Sequence, residues 1–152
     1  MKSLGLVLLL ASAVPLLGCN SDTAQPIINN NGPVAPTTVL RAGTLTPENG
    51  TPTAGMLNIV KDANNDQWVT FSPSFASSFA TGTVAVYLAK SSTSIGSQRT
   101  LPPPPVPNIL AVGFVGKNGE QSIKIPGSST GFGYVVLYCE TAEINFGHAA
   151  LN

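Results

Sequence analysis

From Met56 onward the chain is a series of short runs in which β-branched and aromatic residues recur at every second position, each run closed by a cluster of turn formers. Met56, Asn58 and Val60 alternate with Leu57, Ile59 and Lys61, and the run stops at Asp62-Ala63-Asn64-Asn65-Asp66. Trp68 to Phe71 resumes with β-formers, and Val84, Val86 and Leu88 then alternate with Ala85, Tyr87 and Ala89. Further runs are Ile109 to Val115, Gln121 to Ile125, Tyr134 to Cys139 and Ala142 to Phe146. No stretch keeps helical spacing and helix-forming composition over several turns. A period of two predicts strands with one buried face, so the expected fold is all-β: an antiparallel β-sandwich, with a partly closed β-barrel as the alternative. Residues 50–152 suffice for one compact two-layer domain. Leu101-Pro102-Pro103-Pro104-Pro105-Val106-Pro107 must connect strands, because proline has no N–H to give to a ladder.

The front of the chain obeys other rules. Met1 and Lys2 precede an apolar run from Leu4 to Leu10, too short for an ordinary membrane span. Leu16-Leu17-Gly18-Cys19 follows and resembles the lipobox of bacterial lipoproteins, with Leu17 in place of the commonest small residue. The resemblance implies a signal peptide over 1–18, cleavage before Cys19, and acyl chains on the Cys19 sulfur and the new amino end. Several acyl chains give durable anchoring where one gives only marginal attachment. By analogy with lipoprotein sorting in enteric bacteria, Asn20 lacks the acidic character that favours retention at the inner membrane, so the expected location is the outer membrane of the cell envelope. Residues 19–49 read as a lipidated end and flexible tether, since the Asn, Thr and Pro content after Ser21 buries too little apolar surface to offset ordering. The 7 Lys and Arg balance the 7 Asp and Glu. That balance supports neither a nucleic-acid footprint nor a polybasic lipid patch. The expected partners are the membrane, through the lipid, and an envelope protein.

The C-terminal half carries a more specific pattern. Thr53-Ala54-Gly55 precedes a strand, and Gly82-Thr83-Val84-Ala85-Val86-Tyr87-Leu88 resembles Pro-Asp-Leu-x-Val-Tyr-Leu with Gly82 and Thr83 replacing Pro-Asp. Gly119-Glu120-Gln121-Ser122-Ile123-Lys124-Ile125-Pro126 resembles Gly-x-Gln-x-Tyr-x-Ile-Pro, with Ile123 at the aromatic position. Tyr134-Val135-Val136-Leu137-Tyr138-Cys139, then Ile144-Asn145-Phe146-Gly147-His148-Ala149-Ala150-Leu151, resemble Val-Val-Ile-Trp-Cys and Val-x-Phe-Gly-x-Ala-x-Leu. In order and spacing, Thr53 to Leu151 resembles the DM-thirteen domain, a secreted or membrane-linked domain found beside DOMON modules and proposed to take part in electron transfer. The resemblance implies a redox role for Cys139, with any redox cofactor borne by a partner.

Residue chemistry alone gives Cys139 two readings. Alternation puts it on the face of Val135 and Leu137, where a lone thiol packs as a small hydrophobe. A lone thiol can also form a mixed disulfide or join a soft metal, but it cannot cycle through an internal dithiol. Glu140 is a poor neighbour for a thiolate. His148, the single histidine, is the natural base or ligand. If Cys139 faces Glu143 across a short turn, antiparallel register sets His148 opposite Tyr134, well over ~10 Å from Cys139. Asp62, Asn64 and Asp66 resemble the first half of a calcium loop, yet Gln67 holds the glycine position and Pro73 that of the closing glutamate, so a hairpin turn is the favoured reading. Trp68, Phe71, Phe75, Phe79, Phe114, Phe132 and Phe146 are expected in the core or strand contacts.

No catalytic constellation stands apart from these residues, so no independent enzyme activity and no bound cofactor are expected. Two functions remain: a lipid-anchored binding or structural module, and a redox or electron-transfer accessory using Cys139. The anchoring expectation has a direct check. Cys19→Ser should abolish acylation and the normal cleavage while leaving the β-domain folded, and mass measurement of the purified mature chain should find acyl groups on Cys19.

Overall fold

The computed structural model describes residues 32–100 and 107–152. Cys19 and most of the proline run lie outside the described residues. Nine strands and one short helix follow in order: β1 Thr38–Thr44, β2 Thr46–Pro47, β3 Met56–Lys61, β4 Gln67–Phe71, β5 Val84–Ala89, α1 Ile95–Thr100, β6 Ile109–Val115, β7 Gln121–Lys124, β8 Tyr134–Cys139 and β9 Ile144–Ala150. They form two antiparallel sheets, ordered β1-β3-β4-β7 and β2-β9-β8-β5-β6. Neither sheet closes into a barrel, and the sandwich is the observed fold.

The period-two pattern states the packing. Leu57 and Ile59 of β3, and Val69 and Phe71 of β4, turn inward against Val84, Val86 and Leu88 of β5 and Val135 and Leu137 of β8. Each such side chain, fully withdrawn from water, contributes about 1.5–3 kcal/mol. Phe75, Phe132 and Phe146 join this layer, and Phe79 packs at its margin. Two aromatics fall elsewhere. Trp68 is buried outside the inter-sheet cluster, opposite Val60, and Phe114 packs on the outer face of the second sheet. All six residues of β5 are buried, because α1 covers that outer face by setting Ile95 against Ala85, Tyr87, Val136 and Tyr138.

Three sequence expectations need correction. The fold begins at Thr38, inside the segment read as tether. Thr38-Val39-Leu40-Arg41-Ala42-Gly43-Thr44 has β-forming residues, but the Asn, Thr and Pro around it dilute the signal. β1 pairs along β3, and the chain then crosses at Leu45 so that Thr46 and Pro47 pair with His148 and Gly147. The short helix α1 was also hidden, because six residues cannot display a helical repeat. It is held from outside: buried Asn145 on β9 accepts the Ile95 N–H at 3.3 Å and donates to the Ser92 carbonyl at 3.2 Å. Third, Cys139 faces Ile144 rather than Glu143, and a bulge leaves Phe146 as an extra residue on β9. Each adds one residue to the register, so His148 lies opposite Val136 and not Tyr134.

The sheets also meet through backbone. Ala42 and Asn152 exchange both hydrogen bonds at 3.0 Å, so the end of the chain covers part of the free edge of β1. Gly43 permits this approach, since a Cβ there would stand 2.6 Å from the Ala150 carbonyl oxygen. Gly147 does the same for β2: its Cβ would stand 2.6 Å from the Thr46 carbonyl oxygen. Among the described residues no helix is long and apolar enough to cross a membrane.

Candidate functional site

Cys139 ends β8 with its side chain in the inter-sheet layer and 1% of its surface exposed. Its sulfur is 3.3 Å from the Thr81 hydroxyl and accepts the Ala142 N–H at 3.4 Å. Burial pushes the thiol pKa up, but hydrogen bonds from Thr81, Ala142 and Thr141 more than offset this, and the net shift is downward against the opposing charge of Glu140. The site therefore favours the thiolate more than Glu140 alone suggests while closing the sulfur off from reagents. Thr81 carries no sequence signal for this role, because only the fold brings a loop residue before β5 to the end of β8.

His148 is not part of that environment. Its partner Val136 belongs to the outer cluster, whereas Cys139 belongs to the inner one, so the two side chains project from opposite faces of the sheet. His148 Nδ1 pairs with Glu48 Oε1, and its ring meets Tyr134 edge-on with centroids 6.0 Å apart. This contact fastens the residue after β2 onto β9, where the Glu48 N–H also donates to the Phe146 carbonyl at 3.0 Å.

Asp62, Asn64 and Asp66 do not converge as ligands. Asp62 Oδ1 accepts the Asn64 and Asp66 N–H groups, each at 2.9 Å, while Oδ2 accepts the Val34 N–H at 3.3 Å and the Trp68 indole N–H at 3.0 Å. Four donors occupy the carboxylate. Burial raises its pKa and these hydrogen bonds lower it, with the lowering dominant. Asp66 is committed separately to Lys124, 2.7 Å away. The motif is a hairpin turn whose first aspartate ties the N-terminal segment and Trp68 to β3. Among the described residues no cluster of three or more His, Cys, Asp or Glu side chains is arranged to hold a metal.

The densest polar constellation was invisible in the sequence. Arg99, at the end of α1, makes a two-pronged ion pair with Glu140, Nη1 to Oε2 at 2.9 Å and Nη2 to Oε1 at 2.7 Å. The Tyr87 hydroxyl donates to Glu140 Oε1 and accepts from Arg99 Nη2. The guanidinium carbon stands 5.2 Å from the ring centroids of both Tyr87 and Tyr138, which meet edge-to-face at 6.2 Å. Such contacts add to the charge pair because each ring presents negative density to the cation. Glu140, the thiol's sequence neighbour, is thus neutralised by an arginine 41 positions earlier in the chain. Its pKa is lowered first by the Arg99 hydrogen bond, and that of Arg99 is raised by the same bond. Burial, then Glu140, pushes the Tyr87 phenol up to about 12. A neutral phenol, a paired arginine and a paired glutamate form a lock between α1 and the sheet, with no member poised to exchange protons near neutral pH.

Comparison of the chain with protein-family models, with curated proteins and with solved structures finds no match in any of the three.

The lock predicts an alkaline limit. Between the ordinary tyrosine value of about 10 and the folded value of about 12 the unfolded chain loses the Tyr87 proton while the folded chain keeps it. The stability from this group is therefore complete below pH ~10 and lost as pH rises through ~12. Chemical denaturation across that range should show wild type losing stability more steeply than Tyr87→Phe.

Proposed function

We propose that the chain is a lipid-anchored module of the bacterial cell envelope that acts through its β-sandwich as a binding or structural unit. Acylated Cys19 would hold it at the membrane, at the outer membrane on the character of Asn20. The covalent chain from Cys19 to Thr38 can reach no more than about 70 Å, which keeps the domain close to the lipid surface. The observation that carries the reading is the burial of Cys139: the one thiol the resemblance offers for redox work is 1% exposed and packed with Leu137, Val135 and Phe146. A thiol withheld from its reagent works as a packing group whatever its pKa.

The DM-thirteen resemblance supports the same domain assignment. The segments that carry it coincide with β5, β7, β8 and β9. A second reading, a redox accessory, draws on the hydrogen bonds that pull the Cys139 pKa down. In that reading the thiolate attacks a partner's disulfide, forms a mixed disulfide and releases the partner's other sulfur as thiolate.

Cys139→Ser separates the two. The serine oxygen sits closer to its Cβ than the sulfur does, so it is drawn away from the Thr81 hydroxyl and the Ala142 N–H that the sulfur meets at 3.3 and 3.4 Å. With its stronger demand for hydrogen bonds left incompletely met, the variant should lose about 1–3 kcal/mol of stability. Denaturation of both proteins, run beside thiol–disulfide exchange, should show that loss and little exchange by native wild type. Unchanged stability with exchange abolished would favour the redox accessory.

A further inference from the structure

Arg41 is the counterpoint to Arg99. It lies on β1, the edge of its sheet, opposite Ile59, so its side chain leaves on the inward face and reaches the rim of the sandwich. Nη1 donates to the Phe132 carbonyl and Nη2 to the Ser129 carbonyl at 2.6 Å. These are dipoles rather than charges, and among the described residues no carboxylate forms an ion pair with Arg41. Desolvation pulls its pKa below the ordinary arginine value, the mark of a cation partly withdrawn from water without a counter-charge. A guanidinium has five N–H groups, and two are used here.

The surroundings add donors. Arg41 lines a pocket of about 340 Å³ with Leu40, Gln67, Ser129, Thr130 and Gly131. Gln67 Oε1 accepts the Ser129 N–H at 2.9 Å, which fixes the amide orientation and leaves its NH₂ as the end available to a ligand. Thr130 Oγ1 accepts from the Ser128 hydroxyl at 3.0 Å, so its own hydroxyl hydrogen remains to be given. Arginine, amide and hydroxyl donors thus share one opening, beside Leu40, an apolar side chain that is 41% exposed.

We propose that this pocket binds the carboxylate of a small monoanionic ligand, of the kind presented by the free C-terminus of a peptide ending in a small apolar residue. One guanidinium without a counter-charge matches one negative charge, the three N–H groups that the Phe132 and Ser129 carbonyls do not take remain for carboxylate oxygens, and Leu40 supplies the contact for the adjacent apolar group. The proposal deepens the binding-module reading and is tested apart from Cys139, so its failure leaves the thiol measurements to judge that reading.

The test is amide NMR of the mature full chain in detergent micelles, titrated separately with N-acetylalanine, its C-terminal amide and inorganic phosphate. The free acid should cause saturable shifts at Leu40, the Gln67 side-chain amide, Ser129, Thr130 and Gly131, and the amide should cause none. Arg41→Lys, which keeps the charge but loses the fork, should weaken binding at least ~10-fold. Thr130→Val, at the exposed lip, should weaken it several-fold while the unfolding midpoint stays unchanged. Equal response to acid and amide, no saturation, undiminished binding by Arg41→Lys, or tighter binding of phosphate would each overturn the assignment.

Discussion

Everything in this molecule depends on one apolar layer between two sheets. Leu57, Ile59, Val69 and Phe71 on one side, and Val84, Val86, Leu88, Val135 and Leu137 on the other, are all within 2% of full burial. Hydrophobic burial is non-directional, so it fixes which faces meet but not how the edges are finished. The edges are finished by polar contacts: the Ala42–Asn152 backbone pair, Arg41 on the carbonyls of 129 and 132, and Glu48 on His148. An inward-pointing charge on an edge strand is also a known guard against edge-to-edge aggregation, and Arg41 occupies that position on β1.

Cys139 belongs to this layer and sits where three constraints cross. Its parity on β8 sends it inward, the turn after it supplies the Ala142 N–H, and Thr81 approaches from the loop before β5. Directly after it the chain changes face. Glu140 leaves the core and locks onto Arg99 and Tyr87, so adjacent residues serve the inner layer and the outer helix. The thiol packs in the inner cluster while hydrogen bonds from Thr81, Ala142 and Thr141 reach its sulfur, which explains how a residue can have a lowered pKa and still serve as core.

What the sequence disclosed follows from what repeats locally. β3 through Lys61, β5 and β8 were legible because alternation survives over six residues, while β6, whose alternation a bulge at Val112 breaks, and the turn at Asp62 to Asp66 were legible from residue type alone. β1 was lost in a Thr- and Pro-rich background, and α1 is too short to show a period. The inward face of Cys139 was legible from Val135 and Leu137, but Thr81 was not, and neither was the pairing of Arg99 with Glu140, since these contacts span 58 and 41 positions. Register failed at Phe146 because a bulge has no local signature when its residue is an ordinary strand former.

The central claim, that Cys139 works as a core residue, is tested most directly by its rate of modification with an aromatic disulfide reagent under native conditions and across a denaturant series. The account predicts that modification waits on opening of the sandwich, so the rate is far below that of a free thiol in native buffer and rises in step with unfolding. Rapid modification in native buffer, insensitive to denaturant below the unfolding transition, would contradict it.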